Sequence, residues 1–166
     1  MKVREIVFTM VIFGLAGCST MYYGAMEKVG VHKRDIMVNR VKAARESQSE
    51  AKQQFLTAMD QFKRVVKFQG GDLEAEYDRL NGTLQKTEAG AADVRNRIAA
   101  VEDVSEALFS EWRAEIQQYT SDALRKSSQQ KYDATKQKYG QLIAAMKSAE
   151  SKLEPALAPL RDQVRS

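Results

Sequence analysis

The chain of 166 residues has one cysteine, one histidine, two prolines and nine glycines. Each shortage excludes something. A lone cysteine, Cys18, can build neither an internal disulfide framework nor a cysteine-based zinc cluster. A lone histidine, His32, cannot supply a histidine-rich metal site or a paired motif such as H-E-x-x-H. Two prolines and few glycines leave too few turns for a β-sandwich. The N-terminal apolar run, Ile6 to Leu15, is ten residues long and holds Thr9 and Gly14. Crossing a hydrocarbon core of about 30 Å takes about 20 residues, so this run is too short to be a permanent membrane span. A phosphate-binding G-x-x-x-x-G-K-[ST] loop and a G-x-S-x-G nucleophile elbow are both missing. Alanine, glutamate, lysine, glutamine and arginine are plentiful. Charged residues make up 29% of the chain, a composition that favours long helices.

The start of the chain reads as an address. Lys2 and Arg4 precede the apolar run, and small residues follow it. A charged start, a short apolar core and a small-residue cleavage site describe a secretory signal peptide, here residues 1–17. The segment Leu15-Ala16-Gly17-Cys18 resembles the lipobox of bacterial lipoproteins. That resemblance implies lipid attachment at Cys18, cleavage just before it, and a mature chain of residues 18–166. The plainer alternative is a small buried cysteine, yet nothing later in the chain calls for one. Two or three acyl chains, at roughly 0.8 kcal/mol per buried methylene, hold a protein firmly on a membrane. Ser19, rather than aspartate, follows the cysteine. The resemblance therefore implies the inner leaflet of the outer membrane, facing the periplasm.

Residues 18–30 read as anchor and linker. Tyr22 and Tyr23 suit either the headgroup zone or packing against the body of the protein. Lys28, His32, Lys33 and Arg34 read as a solvated face before they read as headgroup contacts. Beyond Ile36 the apolar spacing is helical. Met37, Val41, Ala44, Gln48, Ala51, Phe55, Ala58, Phe62 and Val65 step by four and three, a heptad seam. The seam ends at Gly70-Gly71, a natural helix stop. Asp72 is placed to cap a second helix, with Glu74 and Glu76 in its electropositive first turn. Leu73, Tyr77, Leu80, Leu84, Thr87, Ala91, Val94, Ile98, Val101, Ser105, Leu108, Trp112, Glu115 and Tyr119 carry the second seam. It passes straight through Gly82 and Gly90, each costing about 1 kcal/mol relative to alanine. At 1.5 Å per residue this helix spans about 70 Å. Thr120-Ser121-Asp122 can break and recap the chain. The third seam runs through Tyr132, Thr135, Tyr139, Leu142, Met146, Ala149, Leu153, Ala156 and Leu160, with a kink or a new short helix near Pro155. The expected helices are about 31–69, 72–119, 121–154 and 155–165, within a bundle spanning 31–166.

Charge supports their pairing. Met26 to Gln69 holds ten basic and five acidic residues, Asp72 to Tyr119 five and eleven, and Thr120 to Ser166 nine and five. An acidic second helix between two basic ones satisfies charge along each seam. Short breaks favour antiparallel neighbours. The expected fold is all-α, an elongated antiparallel three-helix bundle resembling a coiled coil, with the third helix kinked near Pro155. A two-helix hairpin completing its core by dimerisation is the alternative.

No constellation for chemistry emerges. The acidic Asp72, Glu74 and Glu76 after Gly70-Gly71 disfavour a bound phosphate. Glu102, Asp103 and Glu106 lie off the seam and read as a solvated face. A di-iron bundle site needs Glu-x-x-His motifs that one histidine cannot provide. Glu115 sits on the seam, but Ile116 beside it can turn inward instead. Trp112 and Tyr119 are expected to pack near the turn. The methionines are scattered, so no methionine metal site is expected. The basic stretches Lys63-Arg64-Val65-Val66-Lys67 and Arg125-Lys126 have no stacking platform, so nucleic acid is not an expected partner. No catalytic, cofactor-binding or metal-binding residues are assigned.

The stretches from Met21 through Tyr22-Tyr23-Gly24 to Ile36, and Phe109-Ser110-Glu111-Trp112-Arg113-Ala114-Glu115-Ile116, resemble a family of uncharacterised helical lipoproteins of proteobacteria, a domain of unknown function. The resemblance covers most of the mature chain. It implies an envelope location and a long-helix fold, and carries over no activity. Its members tend to run on past the position of Val164, which implies a shortened member. The expected function is a non-enzymatic envelope lipoprotein, a helical scaffold binding a periplasmic partner or itself. A membrane-binding or membrane-remodelling module is the alternative, although the narrow seams suit it less well. An enzyme is the third reading.

Overall fold

The computed structural model describes residues 22–23, 26, 32–67 and 72–165. Four helices follow one another: α1 (Lys33–Val66), α2 (Leu73–Gln118), α3 (Asp122–Glu150) and α4 (Leu153–Arg165). All regular structure among the described residues is helical. The fold is an all-α bundle in which α1, α2 and the α3–α4 stretch run up, down and up.

Antiparallel register is read from the pairs between α1 and α2. Lys33 meets Glu111 at 3.1 Å, Arg40 meets Asp103 at 3.2 Å, and the Ser47 hydroxyl donates to Asp93 at 2.7 Å. The two seams close between these flanks. Ala44, Ala51 and Ala58, seven residues apart, are 0%, 2% and 0% exposed. They lie among Leu80, Leu84, Ala91, Val94, Ile98 and Val101 of α2. Small residues at every seventh position let two helix backbones approach closely. The larger seam residues Phe55, Phe62 and Val65 pack at the edge, half-buried.

Gly90 belongs to this approach. A Cβ there would collide with Oε1 of Gln54, and it would lie 3.8 Å from the Ala51 Cα. The sequence pattern marks Gly82 and Gly90 alike as weak points, but only Gly90 faces a close neighbour. Gly82 and Gly140 face open space.

The third stretch covers the other side of α2. Phe109, Ile116 and Tyr132 form one cluster near the α2–α3 turn. Met146 packs against Val94 and Ile98, while Leu157, Leu160 and Val164 of α4 pack against Leu80 and Leu84. Ion pairs flank this interface as the charge order predicts. Lys147 pairs with Glu102 at 2.6 Å, and Arg161 pairs with Glu88 at 2.6 Å. One pair has the opposite polarity: Arg95 of α2 reaches Glu150 at 2.6 Å and Glu154 at 3.3 Å.

Helix ends follow local chemistry. Asp72 caps α2, its side chain accepting from the Ala75 N–H at 3.0 Å. Ser121 caps α3, accepting from the Leu124 N–H at 3.4 Å. The bend in the third stretch falls at Ser151 and Lys152, one turn before Pro155. Proline has no N–H to give the carbonyl four residues back, and its ring crowds that carbonyl. The residue four back is Ser151, so the ladder fails there. Pro155 then lies in the first turn of α4, where an N–H has no intrahelical partner anyway.

The seam drifts along α2. The pattern places Leu108, Trp112, Glu115 and Tyr119 inward, whereas the structure buries Phe109 and Ile116 and exposes Glu115. A straight helix turns about 20° per heptad away from a strict 3.5 repeat. Over the 46 residues of α2 that shift exceeds the angle between adjacent residues. At the opposite end, Leu73 and Tyr77 are exposed.

Three expectations follow for urea unfolding. Gly82→Ala stabilises the protein by about 0.5–1 kcal/mol, the helix-propensity difference. Gly90→Ala gains less, because Gln54 must move aside. Ala51→Leu destabilises by about 1–3 kcal/mol, the usual cost of overpacking a filled interface.

Candidate functional site

α2 and α3 extend beyond the start of α1, and the difference leaves a groove. Gln48 of α1 donates to the Met146 carbonyl of α3 at 3.1 Å, joining the two helices near mid-bundle. Nearer the α2–α3 turn they are separated by an open groove of about 1060 Å³. Its walls come from residues 32–41 of α1, residues 108–119 of α2, and Ser128 and Thr135 of α3.

The chemistry of the groove is layered. Met37, Val38, Val41, Leu108 and Trp112 give it an apolar lining, and Val38 is 63% exposed. Both signs of charge edge it, with Lys33, Arg34 and Asp35 on one wall and Glu111 and Glu115 on the other. The Trp112 indole N–H donates to Ser128 Oγ at 2.9 Å, which fixes the ring between α2 and α3. The Tyr119 hydroxyl donates to Glu115 at 2.6 Å, which raises the tyrosine pKa and holds the carboxylate at the rim.

Behind the groove, aromatic rings hold the hairpin together. Tyr132 stands edge-on to Phe109 at 5.6 Å and to Trp112 at 5.7 Å. Arg113 donates to its hydroxyl at 3.0 Å and lowers its pKa, against the opposing effect of burial. Arg113 and Lys136 also lie over its ring face, a favourable cation–π placement.

A second polar cluster sits on the opposite side of α2. Tyr23, 1% exposed, packs against Ile36 and Val104. Its hydroxyl donates to Asp103 and accepts from Arg40 at 2.7 Å. Arg40 also donates to the Ala100 carbonyl at 2.7 Å, with its guanidinium over the Tyr23 ring at 5.5 Å. Burial, aided by the Asp103 hydrogen bond and opposed by Arg40, pushes the Tyr23 phenol up to about 12. Of the two readings open for the tyrosines, Tyr23 takes the packed one, while Tyr22 is exposed.

The structure places the remaining sequence candidates as follows. Cys18 lies outside the described residues, as do residues 1–17, read from the sequence as a signal peptide. His32 is exposed at the start of α1 and makes no side-chain cap. Glu102 is half-buried, while Asp103 and Glu106 are exposed. Glu102 pairs with Lys147 and Asp103 joins the Tyr23 cluster. Among the described residues, no three His, Cys, Asp or Glu side chains gather to hold a metal ion. Among them, too, no helix is long and apolar enough to cross a membrane. Sequence reasoning missed the groove and the Arg40 and Asp103 partners of Tyr23. The groove depends on where three helices end relative to one another, and Tyr23 meets Asp103 across 80 positions, so no local pattern carries either.

Fold and groove together define an all-α antiparallel bundle with an open, apolar-lined cleft at its hairpin end. The chain belongs to the family described as Protein of unknown function (DUF2959), which it matches over residues 22–165. No curated protein and no solved structure matches it.

A spectrophotometric pH titration tests the Tyr23 cluster. The chain has six tyrosines, and one phenol is expected to ionise near pH 12, a step absent in Tyr23→Phe. A phenol pKa raised on folding stabilises the docked segment fully below pH 10, and that stability is lost as pH rises through about 12. A wild-type titration lacking the late step overturns this account.

Proposed function

We propose that the protein is a lipid-anchored protein of the cell envelope, tethered through Cys18 to the inner leaflet of the outer membrane. In this reading its bundle is a non-enzymatic interaction module that presents the hairpin-end groove to a protein partner in the periplasm. The groove is the observation that carries the reading. An apolar floor with charged residues of both signs at the rim matches the composition of a protein-binding patch, whose centre is apolar and whose edge is polar. The lipobox-like segment supports the tether, and Ser19 after the cysteine supports the membrane assigned.

Fractionation of cells tests the anchor. Cys18→Ala is expected to move the protein from the membrane to the soluble fraction, and unchanged partition sinks that part. The groove is tested by in-cell photo-crosslinking. A crosslinking residue at Val38 is expected to give a discrete protein adduct, and one at the exposed Gln85 of α2 is not. No adduct at Val38, or the same adducts at both positions, removes the groove from the proposal.

A further inference from the structure

The Tyr23 cluster determines where a tether can leave the bundle. Tyr23 follows Cys18 by five positions. A fully extended chain of that length reaches about 17 Å at most. Tyr23 is fastened to α2 at Ala100, Asp103 and Val104 by way of Arg40 and its own hydroxyl. From Asp103 to Gln118, the end of α2 nearer the groove, there are fifteen positions, or about 22 Å of helix. From Asp103 back to Leu73 there are thirty, or about 45 Å. Standing the bundle upright on either end would therefore need a longer tether than the chain provides.

We propose that Tyr23, held between Arg40 and Asp103, clamps the lipid tether to the side of the bundle, so that the rod reclines against the bilayer on the α1–α2 face that carries Tyr23. This rests on the anchor at Cys18 proposed above. Standing on the α2–α3 hairpin would drive that hairpin into the headgroups, and standing on the opposite end is excluded by a wider margin. Asp103 and Trp112 are nine positions apart and so lie on opposite sides of α2. The reclining face is thus the one turned away from α3. The membrane covers the Tyr23 side, and the groove, alongside Trp112, stays on the side open to the periplasm. Once the clamp opens, the tether lengthens to His32, fourteen positions from Cys18, a reach of about 49 Å. The rod can then lift or stand.

The lone cysteine makes the test direct, since a lipidated Cys18 leaves any introduced thiol unique. Full-length lipidated protein, with a fluorophore at Ala99→Cys or Lys138→Cys, is placed in vesicles of phosphatidylethanolamine and phosphatidylglycerol that carry a headgroup-attached quencher. Ala99 lies one turn from Asp103 on the Tyr23 side, and Lys138 is exposed on α3. The Ala99 label is expected to be quenched more strongly than the Lys138 label. Tyr23→Ala is expected to abolish that difference. So is a ten-residue Gly/Ser linker inserted between Thr20 and Met21, which leaves the clamp intact and adds about 35 Å of reach. Vesicle-bound protein whose two labels are quenched equally, or whose difference survives both changes, overturns the clamp alone. Protein that fails to bind the vesicles overturns the anchor and the clamp with it.

Discussion

The rest of the structure depends on the contact of three alanines, Ala44, Ala51 and Ala58, with α2. Because these side chains are small, α1 and α2 lie close along almost the whole of α1. Gly90 leaves room where Gln54 crosses over. The charged and polar residues beside the seam come within reach of one another, from Lys33 and Glu111 at one end to Ser47 and Asp93 near the middle. α2 thereby becomes the central helix, and α3 and α4 lean on its remaining side. The exposed ion pairs contribute at most about 1 kcal/mol each. Their effect is on which helices pair, because an acidic helix between two basic ones meets opposite charge on both sides.

Much of this order is legible in the chain. The alanines sit where the first seam places them, and the core of α2 from Leu80 to Ser105 is buried in the predicted phase. Asp72 caps as read, and of Thr120, Ser121 and Asp122 it is Ser121 that caps α3. The misses have physical causes. Phe109 and Ile116 replace Leu108 and Glu115 because the fixed heptad was extended beyond the length over which a 3.6-residue helix keeps phase with it. The seven-residue spacing of Phe109 and Ile116, both apolar, was the available sign. The bend precedes Pro155 by a turn because the missing hydrogen bond belongs to the carbonyl of Ser151. The partners of Tyr23 were not legible, since a buried phenol can be satisfied by any well-placed carboxylate or guanidinium along α1 or α2. The groove was not legible either. A shift of α1 by one turn would fill part of it, and seam patterns do not set helix ends that finely.

The break between α3 and α4 lets the third stretch follow α2 for its full length. A continuous helix would carry its apolar stripe progressively off α2, as the drift along α2 itself illustrates. The interruption resets the phase, so that Leu157, Leu160 and Val164 return to the interface. Arg95 spans the break, with Glu150 on one side of it and Glu154 on the other, and Arg161 of α4 joins Glu154 to Glu88 of α2. Pro155, one of only two prolines, thus sits where a straight helix would lose its partner, while Pro159 lies inside α4.

The first turns of α3 are almost wholly exposed from Asp122 to Lys131, and Ser128 is the one residue there that is half-buried. Their hold on the bundle is the aromatic cluster around Tyr132, the indole-to-hydroxyl bond of Trp112 and the bond from Arg125 to the Tyr119 carbonyl. Backbone amides with so little covering exchange with solvent through small local openings, while those beside Ala51 and Val94 await much larger ones. Stiffness therefore falls along the molecule, from the alanine seam toward the hairpin tip. The groove has one firm wall, α1 and α2, and one compliant wall, α3. A cleft of that kind adjusts its width to what enters it at little energetic cost, and a visitor that presses on α3 meets a spring before it meets the core.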